Sequence, residues 1–177
     1  TSSETPEGSE LALVLLDEVT GFAFNRRTIP MRLLDTGVWA ATVELAYGAL
    51  QYYRYELIAP PTPERDANGS PLPGRVALIQ PSLQVQDVIA GWGDRPSQTA
   101  AGSVFGRLSD SGGSPLAEQI VVLAGRWAFT DSEGAFDFRG IPAGLQLLTA
   151  FSPEGTYRPA QQGVQVAAGG LTPVQLS

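Results

Sequence analysis

Three acidic residues, Asp131, Glu133 and Asp137, crowd residues 129–148, FTDSEGAFDFRGIPAGLQLL, and bracket a glycine. Oxygen-rich loops of this kind bind calcium when ligands recur at positions 1, 3, 5, 7, 9 and 12. Counted from Asp131, Glu133 is third, but Ala135 is fifth, Ile141 eleventh and Pro142 twelfth. That ladder fails. The same residues fit a β-hairpin: Asp131 caps the turn, Gly134 takes a positive φ, and Phe136 and Phe138 share one face.

Paired carboxylates are the other chemistry on offer, since glycoside hydrolysis needs two acids converging in a cleft. The candidate pairs are Asp17 with Glu18, Glu64 with Asp66, and Asp87 with Asp94. They follow a strand, sit in a Pro-rich loop and bracket Trp92, respectively, as any surface pair does, so no catalytic residue is assigned. Asn68 opens the sequon Asn-Gly-Ser and also an Asn-Gly turn, and the turn is the reading adopted. Tyr47, Tyr52, Tyr53, Tyr55 and Trp127 form an aromatic set. Tyr52 and Tyr53 point to opposite sides of a strand, so one of them faces outward. With Trp127, they are the candidates for glycan or partner contact.

Composition removes most remaining chemistry. All 11 basic residues among the 177 are arginine, and lysine, histidine and cysteine are absent. Zinc, haem and iron–sulfur sites lose their usual ligands, and triads built on His or Cys are excluded. No cofactor and no metal are expected. A net charge of −7 with no basic stripe argues against a nucleic-acid partner. No run of 18 apolar residues exists to span a membrane. Low charge, no lysine and a polar start, TSSETPEGSE, point to a secreted or cell-surface protein that begins at a processed end or as part of a longer chain.

The elements that must position these residues read as strands. Apolar residues reach 43%, enough for a core, and 20 Gly with 14 Pro supply frequent turns. Residues 10–16, ELALVLL, read as a strand buried on both faces. Residues 21–30 read as a loop and 31–34 as a short strand stopped by Asp-Thr-Gly. Residues 38–46, 50–58, 75–80 and 83–90 then follow as strands, with a Pro-rich loop over 59–74. In the second half, strands are expected at 102–110, 117–125, 126–131, 134–140, 144–152, 163–169 and 171–177. Turn signals at short intervals indicate an all-β sandwich or barrel, and no amphipathic helix longer than two turns can be drawn.

Two family resemblances refine this. Residues 101–176, through GSVFGRLSDSGGSPLAEQIVVL, TDSEGAFDFRGIPAG and LLTAFSPEGTYRP, resemble the carboxypeptidase regulatory-like (transthyretin-like) domain. That implies a seven-stranded sandwich without catalytic machinery, used as a spacer, stabiliser or adhesive module. The first half, through LLDTGVWAATVELAYGALQYYRYEL, ERDANGSPLPGR and VQDVIAGWGD, more weakly resembles starch-binding-type β-sandwich modules. Trp39, Tyr53, Tyr55, Arg75, Trp92 and Asp94 occupy matching places, with Trp39 and Trp92 as packing residues. The two loops that carry exposed tryptophans in that family contain none here. The family's opening strand is also missing, because the chain begins inside its first loop. A strand from another copy could fill such a gap; a rearranged first strand or a chain cut from a tandem array are the alternatives.

The resulting expectation is an all-β protein of two tandem β-sandwich domains, immunoglobulin-like and prealbumin-like. An arm covers 1–9, the first domain 10–95, a linker 96–100 and the second domain 101–177. The expected function is a non-catalytic extracellular structural or adhesive module, the repeating subunit of a surface filament that self-associates by strand addition. The alternative is a carbohydrate-binding module.

Overall fold

The computed structural model describes residues 5, 6, 8–17, 25–92, 97 and 99–177. Among them every regular element is a strand: β1 Leu11–Leu15, β2 Arg27–Pro30, β3 Arg32–Asp35, β4 Val38–Ala40, β5 Leu50–Leu57, β6 Thr62–Pro63 and β7 Arg75–Leu78 in the first half. The second half holds β8 Ala101–Leu108, β9 Ile120–Leu123, β10 Arg126–Phe129, β11 Ala135–Pro142, β12 Gly144–Phe151, β13 Ala160–Val166 and β14 Leu171–Leu176. The all-β expectation holds.

In the first half, β2, β1, β5 and β6 lie side by side, and β7 pairs with the opening residues of β5. β1 is central, with β2 on one edge and β5 on the other, which is why its LALVL run carries almost no polar side chain. Its face packs with Tyr53, Tyr55, Leu57, Ala77, Ile89 and Trp92. Trp39 and Trp92 both belong to this core, as expected of packing residues. β3 and β4 form a separate two-stranded pair, and Trp39 of β4 packs against the core of the first half.

In the second half, β10-β9-β12-β13 faces β11-β8-β14, where β14 runs parallel to β8. Alternate residues of both sheets meet in one core that includes Val104, Leu123, Phe136, Phe138, Ile141, Leu148 and Val174. A smaller cluster joins the halves through Val76, Val122 and Phe151.

Three sequence expectations change. Residues 27–30 of the supposed loop form β2, pairing Leu15↔Arg27 through Ala12↔Pro30; their side chains are mostly exposed, so no apolar alternation announced them. Residues 21–24 lie outside the described residues. The strand expected over 38–46 stops at Ala40, and 83–90 joins no ladder at all. Residues 42–46 alternate between outward and half-buried, whereas 84–86 are all exposed and 87–90 largely buried; both stretches lack a partner, and a ladder needs one.

The third change concerns the acidic window. The turn exists: Gly134 N donates to Asp131 O at 2.9 Å, Gly134 has φ +71°, and Phe136 and Phe138 are both buried. It is not a hairpin, because β10 pairs with β9 and β11 with β8. The turn carries the chain from one sheet to the other. Its geometry recurs at Asp66 and Asp110. In each case the aspartate Oδ1 accepts from the nitrogens two and four residues on, and its carbonyl accepts from a glycine three residues on.

Candidate functional site

The acids that looked most chemical are committed elsewhere. Asp131 holds its turn, Glu133 pairs with Arg107 at 2.6 Å, and Asp137 pairs with Arg139 at 3.4 Å. Among the described residues no group of three or more His, Cys, Asp or Glu is placed to hold a metal ion. Glu18 and Asp94, each half of a proposed carboxylate pair, lie outside the described residues. Glu64 and Asp66 do not act together: Asp66 caps the turn that presents Asn68 and Gly69, while Glu64 turns inward.

Glu64 and Asp87 instead converge on Arg75, which is 3% exposed. Arg75 Nη2 donates to Glu64 Oε2 at 2.8 Å, its Nε to Oε1 at 3.1 Å, and its Nη1 pairs with Asp87 Oδ1 at 3.0 Å. Tyr53 and Tyr55 both donate their hydroxyls to Asp87 Oδ2, at 2.8 and 3.0 Å. The guanidinium also lies 5.4 Å from the Tyr55 ring centroid. Strand alternation explains the convergence: Tyr53, Tyr55 and Arg75 project from the same face of β5 and β7, and Tyr53 is paired with Arg75 in register.

The electrostatics are those of a closed ion cluster. Burial, and then the charge of Asp87, push both tyrosine hydroxyls well above their ordinary range. Burial alone would lower Arg75, but Asp87 and Glu64 outweigh it and hold the guanidinium charged. The crevice alongside, lined by Arg65, Asp66, Leu72 and Arg126 among others, has no room for a water molecule. Both carboxylates are saturated by donors and neither faces a cleft, so the arrangement is a clamp rather than an acid–base site.

The clamp reaches across the chain. Gln146, fully buried on β12, accepts from Arg75 Nη1 at 3.3 Å and donates to Val88 O at 3.3 Å and Pro142 O at 3.2 Å. Above it, second-half side chains cap the open edge of β7 at every other residue. Trp127 Nε1 donates to Gly74 O at 2.8 Å, and Thr149 Oγ1 donates to Val76 O at 2.8 Å. Gln161 then bonds both backbone groups of Leu78. An edge strand that would otherwise offer free N–H and C=O groups is thereby closed.

The contact candidates fall in this seam. Tyr52 and Trp127 stack with centroids 5.9 Å apart, and each meets Phe151 edge-on. Tyr53 is buried, with its hydroxyl on Asp87. The three do not form one exposed platform: two join the halves and the third belongs to the clamp. Thr149, Gln146 and Gln161, which complete the seam, carry no signal in the sequence beyond being polar residues within β strands.

Open backbone is also found in the first half. Residues 42–45 and 84–86 form no backbone hydrogen bond. Both stretches lead off paired strands: Gly48 N donates to Ile79 O and Ile79 N to Ala49 O, each at 2.9 Å, so the two depart from one place on the β5–β7 ladder. Their apolar residues, Leu45 and Leu83, pack on the same core. Beside them β3 is exposed along its whole length, showing Leu33 and Leu34.

No family model matches the chain, and no curated protein is detectably similar to it. Among solved structures, it aligns with the shaft pilin SpaA from Lactobacillus rhamnosus GG over 98% of this chain and 86% of that one, at 9% identity and a TM-score of 0.30. A double mutant of the same pilin aligns over 88% of its chain, with 9% identity and a TM-score of 0.31. Scores this low carry no argument about what the chain does.

Proposed function

We propose that this chain is a non-catalytic, extracellular structural module: two β-sandwiches in tandem, divided at 96–100, that builds a surface filament by strand addition between copies. The observation that carries the reading is the unpaired backbone of 42–45 and 84–86. These stretches form no backbone hydrogen bond; Val43 and Leu45 are partly buried, while Gln84, Val85 and Gln86 all face solvent. An added strand would satisfy both at once, with main-chain hydrogen bonds supplying affinity. The capping of β7 supports the same reading by contrast, since that edge is closed by three side chains and this one is not. The clamp supports a structural role, because its acids are consumed in holding β5, β7 and β12 together.

If each copy donates to the next, the contact is head-to-tail and propagates. Light scattering after size exclusion, over a concentration series and with negative-stain electron microscopy, tests this. Filaments or a ladder of oligomers are expected, and a monomer at all concentrations rejects the reading.

A further inference from the structure

We propose that a groove at one end of the second half binds a short glycan. The groove has a volume of about 610 Å³ and is lined by Glu118, Gln119, Phe129, Glu154, Thr156 and Tyr157, among others. That is within the range of small-molecule sites and far larger than a single cationic side chain needs. Phe129 is 68% exposed and Tyr157 43% exposed, so two aromatic rings that could have joined the core face solvent in one depression. Such rings supply the apolar face on which a sugar ring stacks.

The polar lining asks for donors. Glu118 and Glu154 accept only, and neither is in an ion pair. Gln119 is 8% exposed and keeps a buried Oε1 with no hydrogen-bond partner, although its Nε2 donates to Ala117 O at 2.8 Å. That oxygen is enclosed, so the acceptors open to a ligand in the groove are the carboxylates of Glu118 and Glu154. Sugar hydroxyls are donors that suit these carboxylates.

The lining is also held in place. Glu118 sits at φ +58°, a conformation that a side chain of its kind seldom adopts. It is pinned there by Thr130. Glu118 N donates to Thr130 O at 2.9 Å, Gln119 N to Thr130 Oγ1 at 3.0 Å, and Thr130 Oγ1 to Leu116 O at 2.6 Å. Across the groove, the Ser152–Thr156 turn, in which Thr156 N donates to Ser152 Oγ at 3.2 Å, immediately precedes Tyr157.

The test is titration calorimetry of the full chain with maltohexaose, cellohexaose, chitohexaose and mannohexaose, and separately with a hexa-arginine peptide. At least one oligosaccharide is expected to bind, with Phe129→Ala and Tyr157→Ala each weakening it about tenfold. Glu118→Gln should keep sugar binding within a few fold, since an amide still accepts. Circular dichroism confirms that the exposed substitutions leave the fold intact. Absence of heat with all four sugars overturns the proposal, and so does binding indifferent to Phe129→Ala. Binding of hexa-arginine alone, abolished by Glu118→Gln, overturns it in favour of a cation site. The groove is remote in sequence from residues 42–45 and 84–86, so this result and the assembly experiment fail independently.

Discussion

Gln161 lies on β13 and yet completes the edge of β7: its Oε1 accepts from Leu78 N at 2.9 Å and its Nε2 donates to Leu78 O at 2.8 Å. A side-chain amide thus imitates the neighbouring strand that β7 lacks. Gln161→Leu removes both bonds and leaves a backbone donor and acceptor facing an apolar group. Because the site is only partly buried, a loss of about 1–2 kcal/mol is expected in urea unfolding. Gln161→Glu should cost at least as much, since it loses the donor and brings a carboxylate against the Leu78 carbonyl.

The clamp predicts an alkaline limit to stability. Tyr53 and Tyr55 keep their protons in the folded chain at pH values where an unfolded tyrosine has lost its own. The folded state then binds more protons, so stability is intact below about pH 10 and falls as pH rises beyond it. The slope should approach about 2.7 kcal/mol per pH unit for two such groups. Absorbance at the tyrosinate band should show these two ionising only as the chain unfolds. The double variant Tyr53→Phe, Tyr55→Phe should flatten the slope, and an unchanged slope would assign the alkaline limit to other groups.

Gly134 predicts a large local penalty. A Cβ at this position would lie 2.3 Å from the Leu108 carbonyl oxygen, at a φ of +71°. The contact is with backbone, so no side chain can swing aside. Gly134→Ala should cost more than about 2 kcal/mol, a fall of roughly 4–8 °C in Tm. Asp131→Ala deletes two side-chain-to-backbone bonds at an exposed turn and should cost about 1 kcal/mol.

Why some of this was legible in the sequence and some was not is visible in individual residues. β1, β5 and β12 were readable because their burial follows from their own apolar content. The turn at Asp131 was readable because it is local. Its partners were not: whether β11 pairs with β10 or with β8 is a long-range choice that leaves no trace in a four-residue turn. β2 was missed because pairing with β1, rather than apolar alternation, makes it a strand. Residues 38–46 misled in the opposite sense, since alternation records a face that meets a core and says nothing about a partner along the edge; 83–90 likewise join no ladder, although 87–90 are largely buried. Glu64 was paired with Asp66 by proximity in sequence, whereas the ion cluster joins it to Asp87 through Arg75, 11 residues along the chain from Glu64.

The unpaired stretches give the sharpest test of assembly. Proline lacks the N–H that an added strand would use, and it is tolerated where that N–H bonds to nothing. Glu44 and Gln84 are exposed residues on the two open stretches. Glu44→Pro and Gln84→Pro should therefore change monomer stability by no more than about 0.5 kcal/mol. Arg54→Pro, in the middle of β5 and paired with Val14 of β1, should cost about 3 kcal/mol or more. If strand addition builds the filament, the two edge variants stay monomeric under conditions where the parent chain assembles. Filaments of normal yield from the combined variant would mean that copies meet elsewhere, with the exposed Leu33 and Leu34 of β3 the next surface to change.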